Sequence, residues 1–362
     1  MRRRQVGIGL AALLLFLAAA WLMSEGEPTV APPRQVRFPT GPSADDRARA
    51  ERRRVLPPAP PPRTSGAEGV PAVPPLPRDP FLAALPPLEE AKGLLVLEAS
   101  AIRYSEIGEL LLGCLSQSDR RSLDSVKETL GIDPLEDIDR VAFAGRAVLI
   151  SGNFGALALP EGGARYGKSA TIFERPGESY AVVGSELMIL SNDPTSLRAA
   201  IDRAESPPSG PSPIAEGEAY GEAYGVLSAG AVEQLLKEAQ PELATRMAGL
   251  TDRIQLHLTA DQDLAFVLDV SGNDAERISE LSRTAAGAIA LWRMQAQAQG
   301  ENEISELLDF AKVRPAGMDT RLELAVPVDW LRKQLGSCAN PGGATPPGPD
   351  PVPAAPRASP SR

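Results

Sequence analysis

The chain has 362 residues, a formal net charge of −10, one histidine and two cysteines. That is too few ligands for a Cys/His zinc site and too few bridges for a disulfide-built miniprotein. Its 36 prolines exceed what a compact fold uses throughout, so part of the chain is expected to stand outside any core.

Arg2, Arg3 and Arg4 precede an uncharged run from Val6 to Met23. At 1.5 Å per residue such a run spans roughly 27 Å, close to the hydrocarbon thickness of a bilayer. The three arginines hold the short end in the cytoplasm, which sends the rest of the chain across the inner membrane. The reading is therefore a cytoplasmic basic end over 1–5 and a signal anchor over 6–23. Ala18-Ala19-Ala20 also offers a cleavage site, so secretion after cutting near Ala20 is the alternative.

Residues 24–87 are read as a disordered Pro/Arg-rich linker. Pro57 to Pro62 favours a polyproline spacer. The arginines at 47, 49, 52, 53 and 54 form a basic stretch, briefly helical over 43–55, that can also meet anionic lipid or polymer. Residues 339–362 are read as a disordered Pro-rich tail. Residues 1–80 carry +5 and residues 339–362 carry +1, which leaves −16 on 81–338. A body so acidic repels a phosphate backbone, so nucleic acid is not an expected partner.

The expected fold class is α+β, in two similar sheet-and-helix subdomains over 88–206 and 219–338, with a Pro/Ser/Gly-rich connector over 207–218. Leu94 to Glu98 reads as a strand. Apolar residues at 107, 110, 111, 114 and 115 recur at helical spacing, and a second helix runs from Ser122 to Leu130 with Gly131 as its stop. Strands follow over 141–143, 148–150, 171–173, 180–183 and 186–190, with Gly145 and Pro176-Gly177 at turns. Asp193-Pro194 is an N-cap with proline at the first helical position.

The second subdomain opens with a strand over 224–228 and helices over 231–239 and 241–250. In the next strand, Ile254, Leu256 and Leu258 alternate with Gln255 and His257. Leu264, Phe266, Leu268 and Val270 form a second inward set. A long helix spans 274–299, with Ala285 to Ala288 small enough for close approach to a sheet. A helix around 304–311 is followed by a strand with Met318, Thr320, Leu322, Leu324 and Val326 facing inward. A helix over 328–335 stops at Gly336. Both subdomains open as strand, helix, helix, strand, strand, which suggests duplication.

Little chemistry stands out. The acids of Gly131 to Asp139 do not have calcium-loop spacing. They suit a capped turn, with Asp133 as cap and Glu136 closing a capping box. His257 reads as an exposed strand residue without a nucleophile context. No phosphate-binding glycine loop follows a strand. No catalytic, metal or cofactor residues are therefore assigned, and no cofactor is expected. Cys114 and Cys338 are an even pair in an oxidising compartment, and a disulfide between them would tie the first long helix to the end of the body.

The phrases Gly131-Ile132-Asp133-Pro134, Asp139-Arg140-Val141 and Val326-Pro327-Val328-Asp329-Trp330-Leu331 resemble those of uncharacterised bacterial membrane-anchored envelope proteins with a duplicated α/β extracytoplasmic body. The resemblance spans about residues 94–335 and implies architecture, with no activity or site residues. The expectation is a non-enzymatic binding or scaffold module in the periplasm, held to the inner membrane by its amino-terminal helix. Its partner would be a protein or an envelope polymer. The alternatives are a hydrolase working through paired carboxylates and a carrier of an apolar ligand.

Overall fold

The computed structural model describes residues 36, 38–54, 79–115, 117–175, 177–206, 212–239, 249, 251–260 and 263–339. The span 6–23 with Arg2, Arg3 and Arg4, the proline run 57–62, nearly all of the helix expected over 241–250 and the tail from 340 lie outside these residues. Among the described residues, no helix is long and apolar enough to cross a membrane.

The protein is α+β and, among the described residues, is organised on one twelve-stranded sheet. Its strands are β1 (Gly93–Leu97), β2 (Ile138–Ala144), β3 (Ala147–Gly152), β4 (Ala164–Tyr166), β5 (Ala170–Arg175), β6 (Glu178–Val183), β7 (Leu187–Ser191), β8 (Ala223–Ser228), β9 (Thr251–Ala260), β10 (Asp263–Gly272), β11 (Lys312–Ala316) and β12 (Asp319–Pro327). Read outward from the centre, one wing runs β1-β2-β3-β7-β6-β5-β4 and the other β8-β9-β10-β12-β11. All pairings are antiparallel. In each wing three successive strands pair in order, and the third then pairs with the wing's last strand. The two halves expected from sequence are thus wings of one sheet, joined where β1 pairs with β8 from Gly93↔Leu227 to Leu97↔Ala223.

Local chemistry explains the hairpins. β2 and β3 meet at Ala144↔Ala147 across a two-residue turn. Gly145, first in that turn, has φ 60°. Only glycine takes this conformation without strain, and it suits the twist of a tight hairpin.

The sheet is covered differently in its two wings. Leu94, Val96, Ala142, Leu149, Ile189, Tyr224 and Val226 share one face by the two-residue period of a strand. They pack there against Phe81 and Leu85 from the chain around α2 (Pro80–Ala84), and against Leu197, Ala200 and Ile201 of α7 (Pro194–Glu205). Asp193 caps α7 by accepting from the Thr195 N–H, with Pro194 at the first position, as the sequence indicated. The β9-β10-β12 wing has its apolar cover on the opposite face. Val232 of α8 (Ala229–Ala239) and Leu281 of α9 (Ala275–Gln299) pack on Ile254, Val270, Leu268 and Leu322. Ile107 and Leu110 of α5 (Glu106–Gly113) join Val328 and Leu331 of α11 (Val328–Ala339) around Ala260, Leu258 and Leu264.

Five expectations need correction. The linker expected over 24–87 is folded in two places. Residues Ala44–Arg52 form α1, the brief helix expected over 43–55, and Pro80–Ala84 form α2, which was not expected, with Phe81, Leu82, Ala84 and Leu85 in the main core. Asp79 caps α2 and Pro80 starts it, a helix signal that the surrounding prolines obscured. Next, the faces of β10 and β12 are not simply inward and outward. Ala265, Val267 and Ala325 are fully buried although they oppose the expected apolar set, and Met318 is exposed. The small patch of α9 does not approach the sheet: nothing lies within 4 Å of a Cβ built on Gly287. Fourth, α11 continues through Gly336 to Ala339, because a glycine inside a helix costs only about 1 kcal/mol relative to alanine. Fifth, in the acidic turn Asp133 does cap, accepting from the Leu135 N–H. The reciprocal bond, however, runs from the Asp133 N–H to Asp137, and Glu136 pairs with Arg103.

Candidate functional site

A buried polar grouping lies at the joint between the wings. Val96 of β1 faces Tyr224 of β8. Glu98, the residue after β1, is 3% exposed and accepts a 3.0 Å bond from the Tyr224 hydroxyl. Arg53 closes over it with two bonds, 3.0 and 2.7 Å, to the two carboxylate oxygens. A two-pronged guanidinium contact of this kind is directional as well as strong. Burial, followed by the Glu98 charge, pushes the Tyr224 hydroxyl well above the usual phenol range, so Tyr224 keeps the proton that it donates to Glu98.

Beside this grouping, Arg140 of β2 is buried against Asp79 through bonds of 2.5 and 3.1 Å. Its Nε donates to the Ser151 hydroxyl, and its guanidinium lies 4.2 Å from the centre of the Phe81 ring. Burial works against the Arg140 charge, but the Asp79 carboxylate outweighs it and holds the guanidinium pKa above its ordinary value. The pair fastens the start of α2 to β2.

Helix α1 brings Arg53 to the joint. Its sequence, ADDRARAER, has no apolar stripe, and Asp46 is its buried residue. Ser43 and Asp46 form a capping box at its start. Asp46 also reaches the body, accepting from the Gly221 N–H at 3.2 Å and from Arg49 at 2.5 Å. Burial raises the Asp46 pKa, yet the bonds from the Ser43 hydroxyl and N–H and the Gly221 N–H outweigh it, so the value lies below the ordinary one. Arg54 adds a 2.7 Å ion pair to Glu216. The basic stretch expected to be solvated or lipid-facing thus spends Arg49, Arg53 and Arg54 on contacts within the protein.

His257 is also corrected. It is 2% exposed, because the Tyr220 ring lies flat on it with centroids 3.8 Å apart. Burial lowers its pKa, so the imidazole sits neutral within the sheet's cover. Alternation correctly placed His257 on the face opposite Leu256, but the segment before β8 covers that face. Cys114 caps the end of α5, with its Sγ 3.5 Å from the Leu335 carbonyl oxygen of α11. Residue 338 lies on α11, and its side chain is outside the description. Among the described residues, no cluster of His, Cys, Asp and Glu could hold a metal ion.

These features define the class: an α+β protein on a single antiparallel sheet whose central joint is sealed by ionic contacts. No protein-family model matches the chain, and no curated protein does. Among solved structures it is similar to TP0453. Crystal form III matches at 12% identity and a TM-score of 0.43, over 72% of this chain and 98% of that one. Crystal form IV matches at 12% identity and 0.42, over 70% and 94%. Crystal form I matches at 14% identity and 0.38, over 71% and 97%. This is a loose likeness of fold, and no functional argument rests on it.

Proposed function

We propose that the chain is a non-enzymatic exoplasmic binding or scaffold module, tethered to the inner membrane by residues 6–23. One observation supports the non-enzymatic reading: the buried carboxylates are occupied by the fold. Asp46, Asp79, Glu98, Glu303 and Glu323 each meet a basic side chain. Asp263 accepts from the Val328 N–H at the start of α11. A glycosidase-like mechanism needs one carboxyl to hold a proton for the leaving group while a second stays ionised. Acids committed to arginine, lysine and backbone N–H groups serve architecture instead.

The membrane side of the proposal rests on Arg2, Arg3, Arg4 and the apolar run after them. The test uses the full chain in intact cells. A periplasm-dependent reporter follows Arg362, and a photo-crosslinking residue replaces Leu291 or Met294, which are exposed on α9. The reading expects an active reporter and a discrete adduct with one other component. An inactive reporter overturns the location. Purified protein that turns over envelope polymer overturns the non-enzymatic assignment.

A further inference from the structure

We propose that residues 43–54 are a releasable clasp that sets how far the body stands from the amino-terminal tether. The lengthening rests on the tethered reading above; the release does not. The argument begins with what holds the segment. None of its residues belongs to any of the apolar clusters. Among the described residues, its attachments to the body are polar: Arg53 on Glu98, the Gly221 N–H on Asp46, Arg54 on Glu216, and the Arg49 charge near Glu222. A nine-residue helix of this composition is marginal in isolation, so α1 depends on those contacts. Segments with few apolar contacts open at the low end of a protein's local stability range.

Release also leaves little damage behind. Arg53 is itself partly exposed, at 19%, so lifting it admits water to Glu98 and leaves no charge sealed in a dry core. Glu98 keeps its bond from Tyr224. The core that unites the wings contains Phe81, Leu94, Val96, Tyr224 and Val226, and no residue of the clasp. Opening is therefore local, while the body keeps its shape.

Position gives the opening a consequence. With the clasp docked, the chain is held at Ser43, and described residues before it, Phe38 and Pro42 among them, are half-buried. With it released, the chain leaves at Asp79, where Arg140 holds it. The 36 residues between add up to about 120 Å of reach at full extension. A binding surface on the body would then search a much larger volume around its anchor.

The experiment uses the purified full-length chain in detergent, with dyes on clickable residues at Ala48 and Thr195, both exposed. Single-molecule energy transfer reads docking. The wild type is expected to show a docked population, and Arg53→Ala to raise the undocked-to-docked ratio at least tenfold. Arg53→Lys, which cannot make both bonds, falls between. Arg53 lies outside every apolar cluster, so the urea midpoint of the body should hold in all three. An unchanged distribution in the double variant Arg53→Ala, Asp46→Asn overturns the proposal. So does undocking that occurs only at the urea concentration where the body melts. The reporter after Arg362 judges the anchor separately: a cytosolic signal with normal clasp release would remove the tether and leave the clasp.

Discussion

Gly225 lies directly across from Leu95, and a Cβ on Gly225 would sit 2.4 Å from the carbonyl oxygen of Leu94. The contact is backbone, so no flexible side chain can swing away. The two wings meet here, and the closeness of that meeting depends on the missing side chain.

Gly225→Ala should therefore loosen the joint. Forcing a methyl into a packed site typically costs about 1–3 kcal/mol, and a backbone neighbour places this change near the upper end. Thermal unfolding of the full chain checks it. A melting point equal to wild type would mean that the joint yields without strain.

Arg140 and Asp79 make the most enclosed ion pair described. Removing one member of such a pair leaves a stranded charge, at about 3–5 kcal/mol. Asp79→Ala should fall in that range in urea melts and should also release the cap of α2. The double change Arg140→Met, Asp79→Leu should recover much of the loss, because a well-packed apolar replacement avoids the desolvation penalty.

Glu222 and Asp46 respond to pH in opposite senses. Burial raises the Glu222 pKa above its ordinary 4.5, the Ala260 N–H and Arg49 opposing and the Asp46 charge reinforcing the shift. A raised folded value means a contribution that is complete below the unfolded pKa and lost as pH rises through the folded one. At pH 7 the Glu222 charge is thus a burden. Glu222→Gln, which can still accept from Ala260, should raise the melting point at pH 7 by more than at pH 4. The Asp46 value is lowered from 3.8. Its contribution is present above the unfolded pKa and fades as pH falls through the lower folded value, so acid should loosen the clasp. Melts across pH 2–8 with Asp46→Asn as reference read both.

A bridge between Cys114 and Cys338 is predicted. Closing so long a loop is worth about 5 kcal/mol in the loop-entropy estimate, with engineered cases often lower. Cys338→Ser should slow migration on a non-reducing gel relative to the bridged chain and lower the melting point. Identical migration with and without reductant would exclude the bridge.

Much of this fold was legible because local signals were strong. Asp193-Pro194 marked α7, Gly131 ended the helix before it, and Gly145 turned β2 into β3. The joint was not legible, since the pairing of Val96 with Tyr224 links residues 128 positions apart and neither strand advertises its partner. The candidate site was missed for a related reason. Arg53 read as part of a basic stretch and Glu98 as the end of a strand, and only the chain's return brings them together. Asp79-Pro80 before Phe81 was a usable cap signal, masked by the prolines on either side. His257 shows a limit of alternation: a two-residue period identifies a face, and the covering of that face depends on a segment more than thirty residues earlier.

The central seam has a genetic corollary. A cut in the 207–211 stretch would leave one fragment with an open β1 edge and the other with an open β8 edge. Each fragment would present bare backbone amides of matching spacing, and co-expression should restore the whole while either alone precipitates. The protein is thus a natural candidate for a split reporter whose two pieces recognise each other through their own innermost strands.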